Sequence, residues 1–377
     1  MKFAIITHVQ HIKGDNQYFG YAPYIREMNI WLKYVDEVII VAPLVDRELN
    51  PIHEKYNHSH VNFRQVEEFD ITSIANVFKT MARLPKIVTQ VYKAMSQADH
   101  IHLRCPGNMG LIGAMVQILF PKKPKTAKYA GNWDPNAKQP FTYKLQRWIL
   151  SNTFLTKNMQ VLVYGDWENQ TKNIKPFFTA TYSESDKKVI EPRTLEGCID
   201  FLFVGTLSKG KQPLLAIQLV EKLYQQGKKV RLNLYGDGIL RPTLETYIEE
   251  NNLQDIIFLR GNQSKETVLN TYQTSHFLIL PSKSEGWPKV VAEAMFWGCV
   301  PIVSQVSCVP YMLGYGERGI QLKEQLETDV NQVMSALNNE LLYQKMASEG
   351  QNWSRQFTTD KFEIEIKKLL QNRFNHY

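Results

Sequence analysis

Glu285 and Glu293 are separated by seven residues, and the segment between them is built for an anion. Gly286 permits close backbone approach, and Pro288 suits a first helical turn, where its missing N–H costs little. Lys289–Trp297 then reads as a helix that stops at Gly298. The free amides at such a helix start attract phosphate. A carboxylate just before the helix and another about a turn and a half inside add acceptors for hydroxyl groups. A ligand both phosphorylated and rich in hydroxyls fits this combination, and a nucleotide-sugar is such a ligand. Three upstream segments share the same texture: Gly205-Thr206-Leu207-Ser208-Lys209-Gly210-Lys211, Gly236-Asp237-Gly238 and Arg260-Gly261-Asn262. Lys211 supplies a cation, and the Gly-Asp-Gly run reads as a turn that shapes a pocket.

Each of these segments follows a short apolar run. Ile199–Val204, Val230–Tyr235, Ile256–Leu259, Phe277–Leu280 and Val300–Val303 read as strands with helices between them, Leu214–Gln226 being one. Short, fully apolar strands alternating with helices imply parallel strands covered on both faces. Doubly wound sheets bind ligands at the carboxyl ends of their strands. The first half repeats the pattern with Phe3–Thr7, Glu37–Ala42, His100–Leu103 and Met159–Val163 as strands, and with helices over Pro23–Lys33 and Phe141–Leu155. The polar texture around 183–199 marks a linker. The expectation is an α/β chain of two Rossmann-like domains facing each other across a cleft. Residues 1–190 form an acceptor-side domain and 197–355 a nucleotide-sugar donor domain. Residues 356–377 form a terminal helix that either completes the second domain or packs back on the first, with Thr358 or Thr359 as its cap.

The run Ser284-Glu285-Gly286-Trp287-Pro288, then Glu293-Ala294-Met295, then Gly298-Cys299-Val300-Pro301, resembles the Glu-x7-Glu signature of glycosyltransferase family 4. These are retaining sugar-nucleotide transferases of GT-B fold. The resemblance covers residues 199–322 and reaches the first half only through architecture. It implies that Glu285 binds hydroxyls of the donor sugar and Glu293 the ribose, while Lys211 neutralises the diphosphate. Backbone amides over Gly286, Trp287, Pro288, Lys289 and Val290 would hold sugar and phosphate oxygens. Gly205, Thr206 and Gly236 would line the donor site, and Arg260, Gly261 and Asn262 would border the base. The chain departs from the pattern at Thr206, where the family usually places an arginine; Lys209 is the nearby substitute. It also departs at Lys128–Asp134, which lacks the family's first-domain histidine and leaves Asn132 or Asp134 as the catalytic stand-in. The donor is then a UDP-, GDP- or ADP-sugar, with no further cofactor. Lys211 and the helix end meet the leaving-group charge, so no metal is expected.

Composition agrees with a two-domain globular chain. It has 377 residues, 44% hydrophobic and 21% charged, which excludes wholesale disorder. Cys105, Cys198, Cys299 and Cys308 lie far apart without a Cys-x-x-Cys pair, which suits reduced thiols in the cytoplasm rather than disulfides or zinc. Neither a secretory signal nor a membrane-spanning stretch is read. His100 and His102, two apart on one strand, read as structural in the absence of a third metal ligand. The formal charge of +7 is uneven, with +8 in residues 1–195 and −1 beyond. Pro121-Lys122-Lys123-Pro124-Lys125-Thr126-Ala127-Lys128 concentrates that charge in a presumed loop. Nucleic acid is excluded, because neither stacking aromatics nor a recognition helix accompanies the lysines. A solvated surface run is the default reading, and an anionic membrane surface at the inner face, with the 141–155 helix beside it, or a glycan or lipid-linked acceptor is the functional one. The functional expectation is a retaining hexosyltransferase of cell-surface polysaccharide biosynthesis. A GT-B nucleotide-sugar epimerase and a non-catalytic sugar-nucleotide binding protein are the alternatives.

Overall fold

The computed structural model describes residues 1–15, 17–50, 52–68 and 74–371, without the side chains of 74–82. The chain divides into two compact units, Met1–Phe178 with Phe362–Tyr377, and Thr179–Lys361.

The first unit is built on a seven-stranded parallel sheet. Its order is Ile174–Phe177, Met159–Tyr164, Lys125–Tyr129, His100–Cys105, Lys2–Ile6, Glu37–Pro43, Val61–Val66. Phe3–Ile6 and Val38–Ala42 are apolar throughout because helices cover both faces, and they have almost no exposed surface. Helix Ile74–Gln97 contributes Val91 and Met95 to the core against Ile101 and Leu103. A small antiparallel sheet of His11–Gly14, Gln17–Tyr21 and His53–Lys55 lies beside this framework. Strand order reverses across the central pair, because Lys2–Ile6 pairs on one side with Glu37–Pro43 and on the other with His100–Cys105.

The lysine run is not a surface loop. Lys125–Tyr129 is an interior strand of the sheet, and all five of its residues are buried. Lys123 donates to the carbonyls of Met95, Ser96 and Ala98 at the end of helix Ile74–Gln97. Lys125 donates to the carbonyl of Phe120 at 2.8 Å, and burial pushes its ammonium down to about 8. Lys128 reaches the carbonyl of Phe178 at 2.9 Å and Glu27 at 3.3 Å, with the rings of Tyr164, Phe177 and Phe362 around its Nζ. Of the four lysines only Lys122 is exposed. A long lysine stem is apolar enough to sit in a strand once its ammonium finds carbonyl acceptors. His100 and His102 share the Thr126 hydroxyl at 3.0 and 2.9 Å and lie against Phe3, a structural arrangement.

The second unit carries a six-stranded parallel sheet in the order Ile257–Gly261, Val230–Tyr235, Ile199–Val204, Phe277–Leu280, Val300–Ser304, Ile320–Leu322. The unit begins at Thr179, ahead of the expected boundary at 190, because Tyr182 packs on Phe296 and Trp297. The linker is not loose either. Arg193 donates to the carbonyls of Tyr272, Gln273, Trp297 and Gly298, which satisfies the ends of helices Lys265–Thr274 and Lys289–Phe296. The terminal helix runs Thr359–Gln371; the expected continuation over 372–375 lies outside the described residues. From Phe362 onward it belongs to the first unit, where Phe362 meets Phe177 and Phe178, and Glu363 takes hydrogen bonds from Lys33 and Tyr34.

Candidate functional site

In the second unit the loops at the strand carboxyl ends are tied together by backbone hydrogen bonds. Gly205 N–H donates to Tyr235 at 2.9 Å, Leu207 to Asp237 at 3.0 Å, Gly236 to Gly261 at 2.9 Å and Lys283 to Gly210 at 2.9 Å. Glycine is required where these loops touch. Gly236 has φ +133°, and a Cβ there would sit 2.0 Å from the Gly205 carbonyl oxygen. A Cβ on Gly238 would lie 2.5 Å from the Leu207 carbonyl oxygen. The Gly-Asp-Gly run is therefore a turn that holds the Gly205–Lys211 loop in place.

That loop brings Lys211 to Glu285, with Nζ 2.5 Å from Oε1. Glu285 is nearly enclosed and Lys211 is about one-third exposed, so the pair opens to solvent on the lysine side. Helix Lys289–Phe296 begins just beyond, with Pro288 at its cap and no side-chain cap on its first amides. The positive end of this helix and the Lys211 ammonium are the groups expected for binding phosphate. Glu293, inside this helix, accepts from the Thr181 hydroxyl at 2.7 Å and from the Tyr272 phenol at 3.2 Å. Burial, and then the Glu293 charge, hold the Tyr272 phenol well above its usual range, so it stays a donor. Thr181 and Tyr272 escaped the sequence reading, since neither lies in a glycine-rich loop.

The remaining expected donor-site residues divide by what their side chains do. Trp287 is buried against Trp353 and Phe357, so its ring packs in the interior. The Gly286 carbonyl accepts from the Cys308 thiol at 3.0 Å, which ties this turn to the segment after Val300–Ser304. Thr206 and Asn262 are exposed, and Lys289 and Val290 are half-buried. Arg260 donates to Asn233 at 2.8 Å and lies over the Phe258 ring.

Asn132 and Asp134 belong to the first unit, in the loop after Lys125–Tyr129, and there they organise backbone. The Asn132 side chain accepts from Asp134 N–H and the Asp134 carboxylate from Asn136 N–H, each at 2.8 Å. Such Asx turns fix a loop. A different group of residues lines a cavity of about 240 Å³ in this unit: His8, Pro43, Glu68, Gly107, Asn108 and Tyr143 among them. His8 follows the first strand and Asn108 opens a helix after His100–Cys105, so the cavity sits where strand order reverses, the usual ligand position of such sheets. Surrounding protein, and then the Arg104 charge, hold the His8 imidazole below its usual range and hence neutral at pH 7. Gln10 donates to both oxygens of Glu68, at 2.8 and 2.9 Å. The signal for this cavity was a histidine directly after the first strand; its meaning depends on strand order. Among the described residues, no group of three or more His, Cys, Asp or Glu could hold a metal ion.

Two parallel, doubly wound α/β units in one chain make up the fold of the GT-B glycosyltransferases. The Anabaena protein HepE, solved in complex with UDP, superposes with a TM-score of 0.68 over 98% of both chains at 14% identity. Residues 186–353 match the family Glycosyl transferases group 1. The uncharacterized glycosyltransferase MJ1178 of Methanocaldococcus jannaschii is 25% identical over 202 residues, 53% of this chain and 55% of that protein. The putative colanic acid biosynthesis glycosyltransferase WcaL of Salmonella typhimurium is 30% identical over 128 residues, 32% of this chain and 31% of that protein. The chain thus spans about half the length of the first relative and about a third of the second. Among the described residues no helix is long and apolar enough to cross a membrane.

Proposed function

We propose that the protein is a retaining glycosyltransferase that moves a hexosyl group from a nucleotide diphosphate sugar to a glycan or lipid-linked acceptor in cell-surface polysaccharide synthesis. The observation that carries this reading is the Lys211–Glu285 pair beside the start of helix Lys289–Phe296, within the segment that matches Glycosyl transferases group 1. A diphosphate entering this site draws Lys211 from Glu285 and takes the helix amides as further donors. Glu285 is then free to accept from sugar hydroxyls, and Glu293 has acceptor capacity left for the ribose. The bond from the anomeric carbon to the diphosphate breaks as the acceptor oxygen attacks from the same face. The acceptor proton passes to the departing phosphate, whose charge Lys211 and the helix end stabilise without a metal or further cofactor.

The donor is a UDP-, GDP- or ADP-sugar, with UDP first to be tried because HepE holds it. The first unit's cavity, with neutral His8 and the Glu68 carboxylate, is the proposed acceptor site. A lipid-linked acceptor would bring the protein to the inner face of the membrane. The same cavity supports a second reading, a nucleotide-sugar epimerase, since His8 and Glu68 are groups that can exchange protons with a sugar. A panel of UDP-, GDP- and ADP-sugars separates the readings, with and without acceptor extract. Transfer to acceptor with retained anomeric configuration is expected, and Glu285→Ala and Lys211→Ala should each lower it by at least ~100-fold. Epimerised sugar formed without acceptor would favour the second reading. Donor binding with neither transfer, hydrolysis nor epimerisation would defeat both.

A further inference from the structure

Residues 100–165 contain nine Lys and Arg and one acid, Asp134. Five of the nine are engaged within the first unit. Lys123, Lys125 and Lys128 serve carbonyls, Arg104 pairs with Glu27, and Arg147 donates to the Asp134 carbonyl while covering the Trp133 ring. Lys122, Lys138, Lys144 and Lys157 remain exposed. Large apolar side chains stand among them: Phe141 is 76% exposed, Trp148 59%, Phe154 76% and Leu119 65%.

Helix Phe141–Ser151 turns Gln146, Ile149 and Leu150 inward. Phe141, Lys144 and Trp148, at i, i+3 and i+7, share its outer face. The turn after it continues the ridge. Lys157 Nζ lies 5.1 Å from the Phe154 ring centre. Asn158 donates to the Pro121 carbonyl at 2.9 Å and Gln117 to the Leu155 carbonyl at 3.3 Å, which sets Leu119 and Lys122 alongside.

We propose that this ridge docks on an anionic phospholipid bilayer, its rings at the acyl–headgroup boundary and its lysines among the headgroups. Aromatic side chains interleaved with lysines are what an interfacial helix presents, and the two attractions together give stable association where either alone is marginal. A second copy of the chain is disfavoured, because a symmetric contact sets the same four lysines against each other. Single-stranded nucleic acid calls for a basic groove that follows its backbone, and an outward helix face offers none. Tyr143 of the same helix lines the first unit's cavity, so docking brings that cavity to the headgroup layer. That last consequence rests on the acceptor reading above; the docking itself needs neither donor nor acceptor.

The test is sedimentation of the full chain with phosphatidylcholine vesicles, either pure or with about one-third phosphatidylglycerol. Binding to the anionic vesicles alone is expected, and it should weaken as salt rises. Lys144→Gln and Lys157→Gln should each cost about fivefold in partition coefficient. Trp148→Ser with Phe154→Ser should abolish binding at unchanged thermal midpoint, since both rings are exposed. Native protein that stays in the supernatant overturns the proposal, as does lysine-variant binding equal to native. A concentration-dependent dimer abolished by Trp148→Ser, without vesicle binding, would assign the ridge to a second copy instead.

Discussion

Two lysines of this chain show how position decides what a charge does. Lys211 sits at the end of a loop, opens to solvent on one side and neutralises Glu285, so an incoming anion can take it over. Lys125 sits in an interior strand with its ammonium near 8. Between about pH 8 and the ordinary lysine value near 10.4, the unfolded chain binds a proton that the folded one lacks. Stability from this group therefore rises with pH through that window, and below it the cost of burying the charge is fully present. Lys125→Met should stabilise the protein at pH 7 by about 1–3 kcal/mol and flatten the rise, as read from urea midpoints at pH 7 and 9.5. The carbonyls it abandons are not orphaned, because Gln117 still accepts from Phe120 N–H and Phe120 from Lys123 N–H.

At the scale of elements, the proposed donor site is a set of strand ends held in register by glycine contacts. Gly205 and Gly236 touch backbone to backbone, and this contact places the loop that carries Lys211. Gly236→Ala should shift that loop and cost about 1–3 kcal/mol, because the new Cβ meets a carbonyl oxygen and the backbone there is left-handed. The measurable consequence is a loss of nucleotide-sugar affinity of at least ~10-fold by titration calorimetry, with the far-ultraviolet circular dichroism unchanged. Arg193 plays the corresponding part at the opposite ends of helices, joining the carboxyl ends of Lys265–Thr274 and Lys289–Phe296. The carboxyl end of Lys289–Phe296 is thereby fixed.

For the whole molecule, charge and chain path follow the division into two units. Counted by unit, the formal charge is +9 for Met1–Phe178 with Phe362–Tyr377 and −2 for Thr179–Lys361. The last helix takes the chain back to the first unit, where Phe362 packs between Phe177 and Phe178 and beside Lys128. Phe362→Ala should cost about 3–5 kcal/mol in the first unit and expose the Lys128 ammonium. Limited proteolysis is the direct check: cleavage should accelerate within Met1–Phe178 and not within Thr179–Lys361. Equal acceleration in both units would show that the helix does not stabilise the first unit alone.

Much of this architecture was legible along the chain. Strands such as Glu37–Pro43 and Phe277–Leu280 are apolar because both their faces are covered, and that pattern survives in sequence. The helix start after Phe277–Leu280 was legible too, since Gly286 and Pro288 are residue types that suit a tight approach and a first helical turn. Lys125–Tyr129 was not legible, because lysines read as surface until the carbonyls that receive them are known. Nor was the cavity beside His8, whose residues come from strands brought together only by sheet order. Local steric and hydrogen-bonding demands are written into neighbouring residues, so the sequence by itself determined the apolar strands, their parallel class and the glycine-rich loops at their ends. Pairing between distant strands has no local signature. The tertiary structure alone therefore decided which lysines face inward, where the first unit opens a cavity, and which aromatic side chains stay at the surface.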